Sequence, residues 1–112
     1  MADGFARTPE PPYYAVIFTS QRRDGDDGYG AMAEAMWKLA LAQPGCLGAE
    51  SARGASGLGI TVAYFRDEAS IAAWKANTTH QHAQARGKAD WYAHYEVRVA
   101  RVERAYGGPE GR

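Results

Sequence analysis

The hydrophobic positions change period along the chain, and each change marks an element. Tyr13 to Ser20, YYAVIFTS, is dense in aromatic and β-branched residues and reads as a strand. Asp24-Gly25-Asp26-Asp27-Gly28 follows, a turn cluster whose aspartates suit a helix cap. From Tyr29 the period lengthens. Tyr29, Met32, Ala33, Met36, Leu39 and Ala40 fall on one helical face, and Pro44-Gly45 stops that helix. Cys46 to Arg53 reads as a second strand, Gly54-Ala55-Ser56-Gly57 as a hairpin loop, and Leu58 to Arg66 as a third strand. Asp67 opens a second helix, with Glu68 in its first turn, where negative charge suits the helix dipole. Ile71 and Trp74 mark the buried face of that helix. Asn77 to Thr79 is poor helix material, so a break is expected there, with helix resuming from His80 to Arg86 and stopping at Gly87. Trp91 to Tyr106 gives a long last strand. Tyr95, Val97 and Val99 alternate before Val102 shifts phase, which predicts a β-bulge near Ala100–Arg101. The order β-α-β-β-α-β predicts an α+β, ferredoxin-like fold: one antiparallel sheet with two helices on one face.

The strands depart from the usual alternation of a half-exposed antiparallel sheet. In the first, Tyr13, Ala15 and Ile17 point one way and Tyr14, Val16 and Phe18 the other. In the third, Ile60, Val62 and Tyr64 oppose Thr61, Ala63 and Phe65. Two helices cover one face only. The other is then an exposed apolar patch of several hundred Å2, the kind monomers rarely tolerate. A second copy packed sheet to sheet, a two-fold homodimer, resolves this.

Length and composition narrow the classes. At 112 residues the chain fits a single domain, with a folded body at 13–106. Residues 1–12, with three prolines, read as a flexible arm, and 107–112 as a flexible tail. Thirteen basic residues balance thirteen acidic ones, which argues against nucleic-acid binding by charge. The single cysteine, Cys46, excludes a disulfide framework and a cysteine-type zinc or iron–sulfur site. No apolar run is long enough to span a membrane, and the N-terminus lacks a secretory h-region, so a cytoplasmic location is expected.

Motifs for familiar chemistries are absent or weak. His80 and His82 stand two apart on a helix, where side chains do not face each other, so they chelate poorly. His94 shows no carboxylate companion in the sequence. Counted from Asp24, the twelfth position of a calcium loop is Ala35 and not glutamate. No G-K-[S/T] follows the glycines at 54, 57 and 59, so they form no phosphate loop. The aromatic residues are the stronger signal. Trp91 and Phe65 read as core. Trp74, His80, Tyr92 and Tyr95 read either as core or as the wall of an apolar small-molecule pocket with polar tips.

The segments YYAVIFTSQR, QPGCLGAES and GITVAYFRDEASIAAWKANTTH resemble the antibiotic biosynthesis monooxygenase superfamily of dimeric α/β barrels, over about residues 13–106. The specific parts are Gln43-Pro44-Gly45, Leu47-Gly48 and Glu50 before the second strand, and Asp67-Glu68, Ile71 and Trp74-Lys75 in the second helix. The resemblance implies a homodimer with a small-molecule pocket between sheet and helices in each subunit. Some members oxygenate aromatic polyketides with dioxygen and need neither metal nor flavin, because the substrate carbanion supplies the electrons. On that reading this chain is a cofactor-independent monooxygenase of small aromatic, quinol- or anthrone-like substrates. Trp74 would donate through its indole N–H, and His80 would accept or give a proton. Phe18, Tyr64, Tyr92 and Tyr95 would hold the substrate ring. Other relatives degrade haem with an asparagine on the first strand, a tryptophan on the second helix and a histidine further along it. Here Trp74 matches that tryptophan, but the residue ten positions later is Gln84, and Asn77 is the chain's one asparagine. Haem bound through His80 or His82 is therefore the enzyme alternative, and a non-catalytic ligand-binding dimer the other.

Overall fold

The computed structural model of the chain describes residues 4–25, 28–84 and 91–109; between 78 and 84 it describes the backbone alone. Its elements run β1 (Tyr13–Arg22), α1 (Tyr29–Ala42), β2 (Cys46–Arg53), β3 (Leu58–Phe65), α2 (Glu68–Gln84) and β4 (Tyr92–Val102). This is the β-α-β-β-α-β order read from the sequence. The strands form one antiparallel sheet in the order β2-β3-β1-β4, the arrangement of the ferredoxin-like fold.

Local chemistry sets the helix ends. Gly28 precedes α1 at φ 83°, a left-handed conformation that glycine adopts freely. After α1, Gly45 turns the chain at φ 84°, and its carbonyl accepts the Arg66 N–H at 2.9 Å. A Cβ at Gly45 would lie 2.0 Å from Ser70 Oγ, so this glycine lets the start of α2 pack down on the turn. Asp67 caps α2. Its Oδ1 accepts the Ser70 N–H at 2.8 Å and the Ser70 hydroxyl at 2.7 Å. Those two bonds hold the Asp67 carboxyl below its ordinary pKa.

Two expectations are corrected. The helix does not break at Asn77–Thr79: α2 runs unbroken from Glu68 to Gln84. Low propensity there amounts to roughly 0.5 kcal/mol per residue, and cooperative propagation from good flanking turns carries the helix through. Asn77 also bonds Gln43 Oε1 at 3.1 Å, which ties α2 to the end of α1. The bulge is not at Ala100–Arg101 either, where Ala15 pairs with Ala100 and Tyr14 with Arg101 in regular register. It lies at the opposite end of β4. Gln21 pairs with His94 and Arg22 with Tyr92, so Ala93 is the extra residue. Val102 needs no slip: it pairs with Tyr13 on the other face, which is also apolar at that end.

The register assigns the two faces. Tyr14, Val16, Phe18 and Ser20 share one with Phe65, Ala63, Thr61 and Gly59 of β3 and with Arg101, Val99, Val97 and Tyr95 of β4. The helices lie on this side, α1 mainly over β2 and α2 over β3. Phe65, fully buried, and Ala63 anchor that packing. The β4 half is less covered, and Val97 and Val99 remain 51% and 53% exposed. The opposite, outer face carries Tyr13, Ala15, Ile17, Val62 and Tyr64. Ala6 and Thr8 of the arm bond to residues of this face. Ala6 N–H bonds Glu50 Oε2 at 2.9 Å, and Thr8 and Tyr13 share a hydroxyl bond at 3.0 Å. No helix among the described residues is long and apolar enough to cross a membrane.

Candidate functional site

An aromatic cluster stands on the helix-side face where β1 meets the start of β4. The Phe18 ring lies 5.5 Å from Tyr92 and 5.5 Å from Tyr95, and those two lie 6.1 Å apart. Tyr29, the first residue of α1, closes the group at 5.6 Å from Tyr92 and 6.3 Å from Trp91. The bulge makes this possible. In an unbroken strand Tyr92 and Tyr95 would face opposite ways, because three positions separate them and side chains alternate with period two. The extra residue Ala93 brings both onto Phe18.

The cluster is apolar with hydroxyl tips. Tyr92 O–H donates to Tyr29 Oη at 3.1 Å. Burial raises the Tyr92 pKa, and the bond to Tyr29 raises it further, so Tyr92 is a neutral donor across the physiological range. An aromatic ring lying over Phe18 and the exposed Val97 and Val99 would meet these hydroxyls at its edge. The arrangement suits a flat ligand with an oxygen substituent.

The residues singled out in the sequence fall into three groups. Phe18, Tyr92 and Tyr95 come together. Tyr64 does not join them. It sits on the outer face, edge-on to Tyr13 at 5.7 Å, with its hydroxyl donating to Glu50 Oε1 at 2.7 Å. Period-two alternation puts Tyr64 with Ile60 and Val62, and the β1–β3 register turns that set away from the helices. Burial, then the bond to Glu50, push its pKa up to about 12. Trp74 stands half-buried on α2, one turn beyond the buried Ser70 and on the same stripe. The side chain of His80 lies outside the described residues, as does that of His82. His94 does have a carboxylate companion, Glu96 at 2.7 Å on the same strand face, a pairing that period-two spacing already allowed.

Three residues of this neighbourhood went unmarked in the sequence: Tyr29, Arg22 and Arg53. Tyr29 was visible only as an apolar helix position. Arg22 Cζ lies 3.9 Å from the centroid of the Tyr29 ring, and Arg53 Nη2 donates to the Tyr29 hydroxyl at 3.4 Å. A glycine inside a strand signals close approach of another group. Gly59 was that signal, because a Cβ there would lie 2.5 Å from Arg53 Cζ. On the outer face, a shallow open groove of about 460 Å3 runs between the arm and the sheet, lined by Phe5, Glu50, Ala52, Ile60 and Val62 among others.

The model of the family described as antibiotic biosynthesis monooxygenase matches residues 12–86. The uncharacterized protein YqjZ of Bacillus subtilis is 52% identical over 104 residues, which covers 93% of this chain and 91% of that one. Among solved structures, PA3566 from Pseudomonas aeruginosa superposes with a TM-score of 0.64 at 20% identity, covering 87% of this chain and 98% of that one. SO0527 from Shewanella oneidensis gives 0.69 at 14% identity, covering 84% and 94%. At these identities the two structures are likenesses of fold.

Proposed function

This chain belongs to the antibiotic biosynthesis monooxygenase family, and from that premise we propose that it is a cofactor-independent monooxygenase of small, acidic aromatic compounds. The observation that carries the reading is the Phe18–Tyr92–Tyr95 cluster, with the Tyr92–Tyr29 hydroxyl pair at its edge, on the helix-side face. The reaction needs no outside reductant. A methylene flanked by two rings and conjugated through them to a ketone, as in an anthrone, loses a proton, and the carbanion passes electrons to dioxygen. The methylene becomes a carbonyl, and the second oxygen atom leaves as water.

In this reading the rings hold the substrate plane. A phenolic hydroxyl at the substrate oxygen stabilises the enolate, since a donor aimed at developing charge lowers the barrier. Trp74 is proposed as a further donor and His80 as the proton acceptor. The outer face is the proposed homodimer surface. There Ile60 and Leu58 remain 47% and 51% exposed despite the arm, and a second copy covers them.

Oxygen uptake with anthrone-like and quinol substrates tests the proposal. Uptake that follows substrate, makes no net peroxide, and falls at least about tenfold in Tyr29→Phe supports it, since the Tyr92 proton is already given to Tyr29 and one lost donor of this kind typically costs about a hundredfold or more. Substrate-independent uptake, or full activity in Tyr29→Phe, overturns it.

A further inference from the structure

We propose that Arg53 and Arg22, with Tyr29 between them, form an anion-recognition site that selects aromatic carboxylates and phenolates over their neutral analogues. The proposal deepens the reading above and rests on the helix-side face being the ligand face.

Arg53 ends β2 and folds back across the sheet. Its row runs Arg53, Gly59, Ser20, Tyr95 from β2 to β4. The two central residues are small, and the missing Cβ of Gly59 is what admits the guanidinium, which it would otherwise meet at 2.5 Å. There Arg53 Nη2 donates to Ser20 Oγ at 2.7 Å and to Tyr29 Oη at 3.4 Å, while Nη1 donates to the carbonyls of Ser20 and Gly57. Arg22 stacks on the same ring, its Cζ 3.9 Å from the centroid, against 5.9 Å for Arg53 Cζ. Its Nη1 donates to the carbonyls of Arg23 and Trp91 at 3.0 and 2.7 Å, and its Nη2 to that of Gly25 at 2.7 Å.

Every one of these acceptors is neutral. The ion pairs among the described residues are Arg66–Asp67 and His94–Glu96, both elsewhere. Asp24, two residues from Arg22, forms none with it. Two positive charges thus stand at one tyrosine, and among the described residues no carboxylate pairs with either, in a chain whose formal net charge is zero. Tyr29 accepts hydrogen bonds from Arg53 and Tyr92, so its own proton is left to donate, and among the described residues it meets no acceptor. The terminal N–H groups of Arg53 are taken by the Ser20, Gly57 and Tyr29 oxygens, so the guanidinium acts through its charge, and a positive charge beside a hydroxyl with a proton to donate is suited to a carboxylate or phenolate. The Tyr92, Tyr95 and Phe18 rings begin beside it and suit the rest of an aromatic anion.

Calorimetric titration with 1-naphthoate and with neutral 1-naphthamide tests this without any turnover. The expected result is at least tenfold tighter binding of the anion. In Arg53→Gln that preference disappears while naphthamide binding is unchanged, which shows the fold and ring site intact. Gly59→Ala keeps every charge but displaces the guanidinium, and weakens naphthoate several-fold with little effect on naphthamide. Equal binding of both probes by the wild type overturns the proposal alone, as does a preference that survives in Arg53→Gln. If neither probe binds, the proposal and the reading of this face as a ligand site fall together. A preference that holds without oxygen uptake leaves the anion site standing and removes the oxygenase.

Discussion

Tyr92 is where fold and candidate site meet, so replacing it separates the two. The side chain is 7% exposed and touches three rings, those of Phe18, Tyr29 and Tyr95. Tyr92→Ala removes the ring and leaves a cavity. Truncating a buried aromatic typically costs about 3–5 kcal/mol, a large share of the roughly 5–15 kcal/mol that stabilises a domain. Tyr92→Phe keeps the ring and removes only the donor to Tyr29, a loss of about 0.5–1.5 kcal/mol. At about 4–8 °C per kcal/mol for a domain of this order of size, the two variants should separate clearly on melting. Urea unfolding followed by tryptophan fluorescence gives the same comparison at constant temperature, with Trp91 next in sequence. The expected order is wild type, then Phe slightly lower, then Ala far below, with an unchanged denaturant slope. If Ala costs no more than Phe, the ring is not packed between β1, β4 and α1, and the bulge at Ala93 does not deliver it there.

Three other outcomes are expected. Tyr64 holds its proton to about pH 12 in the folded chain against about 10 unfolded, so its contribution to stability is complete below about pH 10 and is lost as pH rises through 12; phenolate absorbance should show a late-titrating tyrosine that moves earlier in Glu50→Gln, and a spectrum in which all tyrosines of the folded wild type ionise together refutes it. Ile60→Glu places a charge on the exposed outer face, so sedimentation should show the wild type at twice the monomer mass and the variant as a folded monomer; a wild type already monomeric at micromolar concentration removes the dimer. Haem titrated into the pure protein should give no one-to-one Soret band; a sharp band that disappears in His80→Ala would replace the cofactor-free reading with a haem one.

Most of the architecture was legible because period and punctuation agree. Asp67 and Pro44-Gly45 mark helix ends by chemistry that acts within a few residues, and the structure keeps both. Cys46–Arg53 was legible for the same reason, bounded by glycines on each side. The failures are of another kind. Val102 and the Asn77–Thr79 segment were read by local rules that tertiary context overrides. An apolar outer face accepts Val102 without a slip, and a long helix absorbs three weak residues. The real bulge left no mark in the hydrophobic pattern, because Tyr92 belongs to a face only through its partner Arg22.

Tyr64 shows what a sequence of this type withholds. Both faces of β1 and β3 are apolar, so alternation sorts residues into two sets without saying which set meets the helices. Phe18 and Tyr64 fell in different strands, and the register that joins those strands was needed to place them on opposite sides. The same ambiguity hid the arginines. A strand-end arginine ordinarily reaches into solvent, and only the glycine two strands from β4 allows Arg53 to lie back across the sheet toward Tyr29. The consequence for function is a division of labour between two tyrosine sets. Tyr64, locked to Glu50 and Tyr13, belongs with the arm and the outer face. Tyr29, Tyr92 and Tyr95 belong with the arginines and the rings. A substitution that changes ligand binding should therefore come from the second set, and one that changes assembly from the residues around the first.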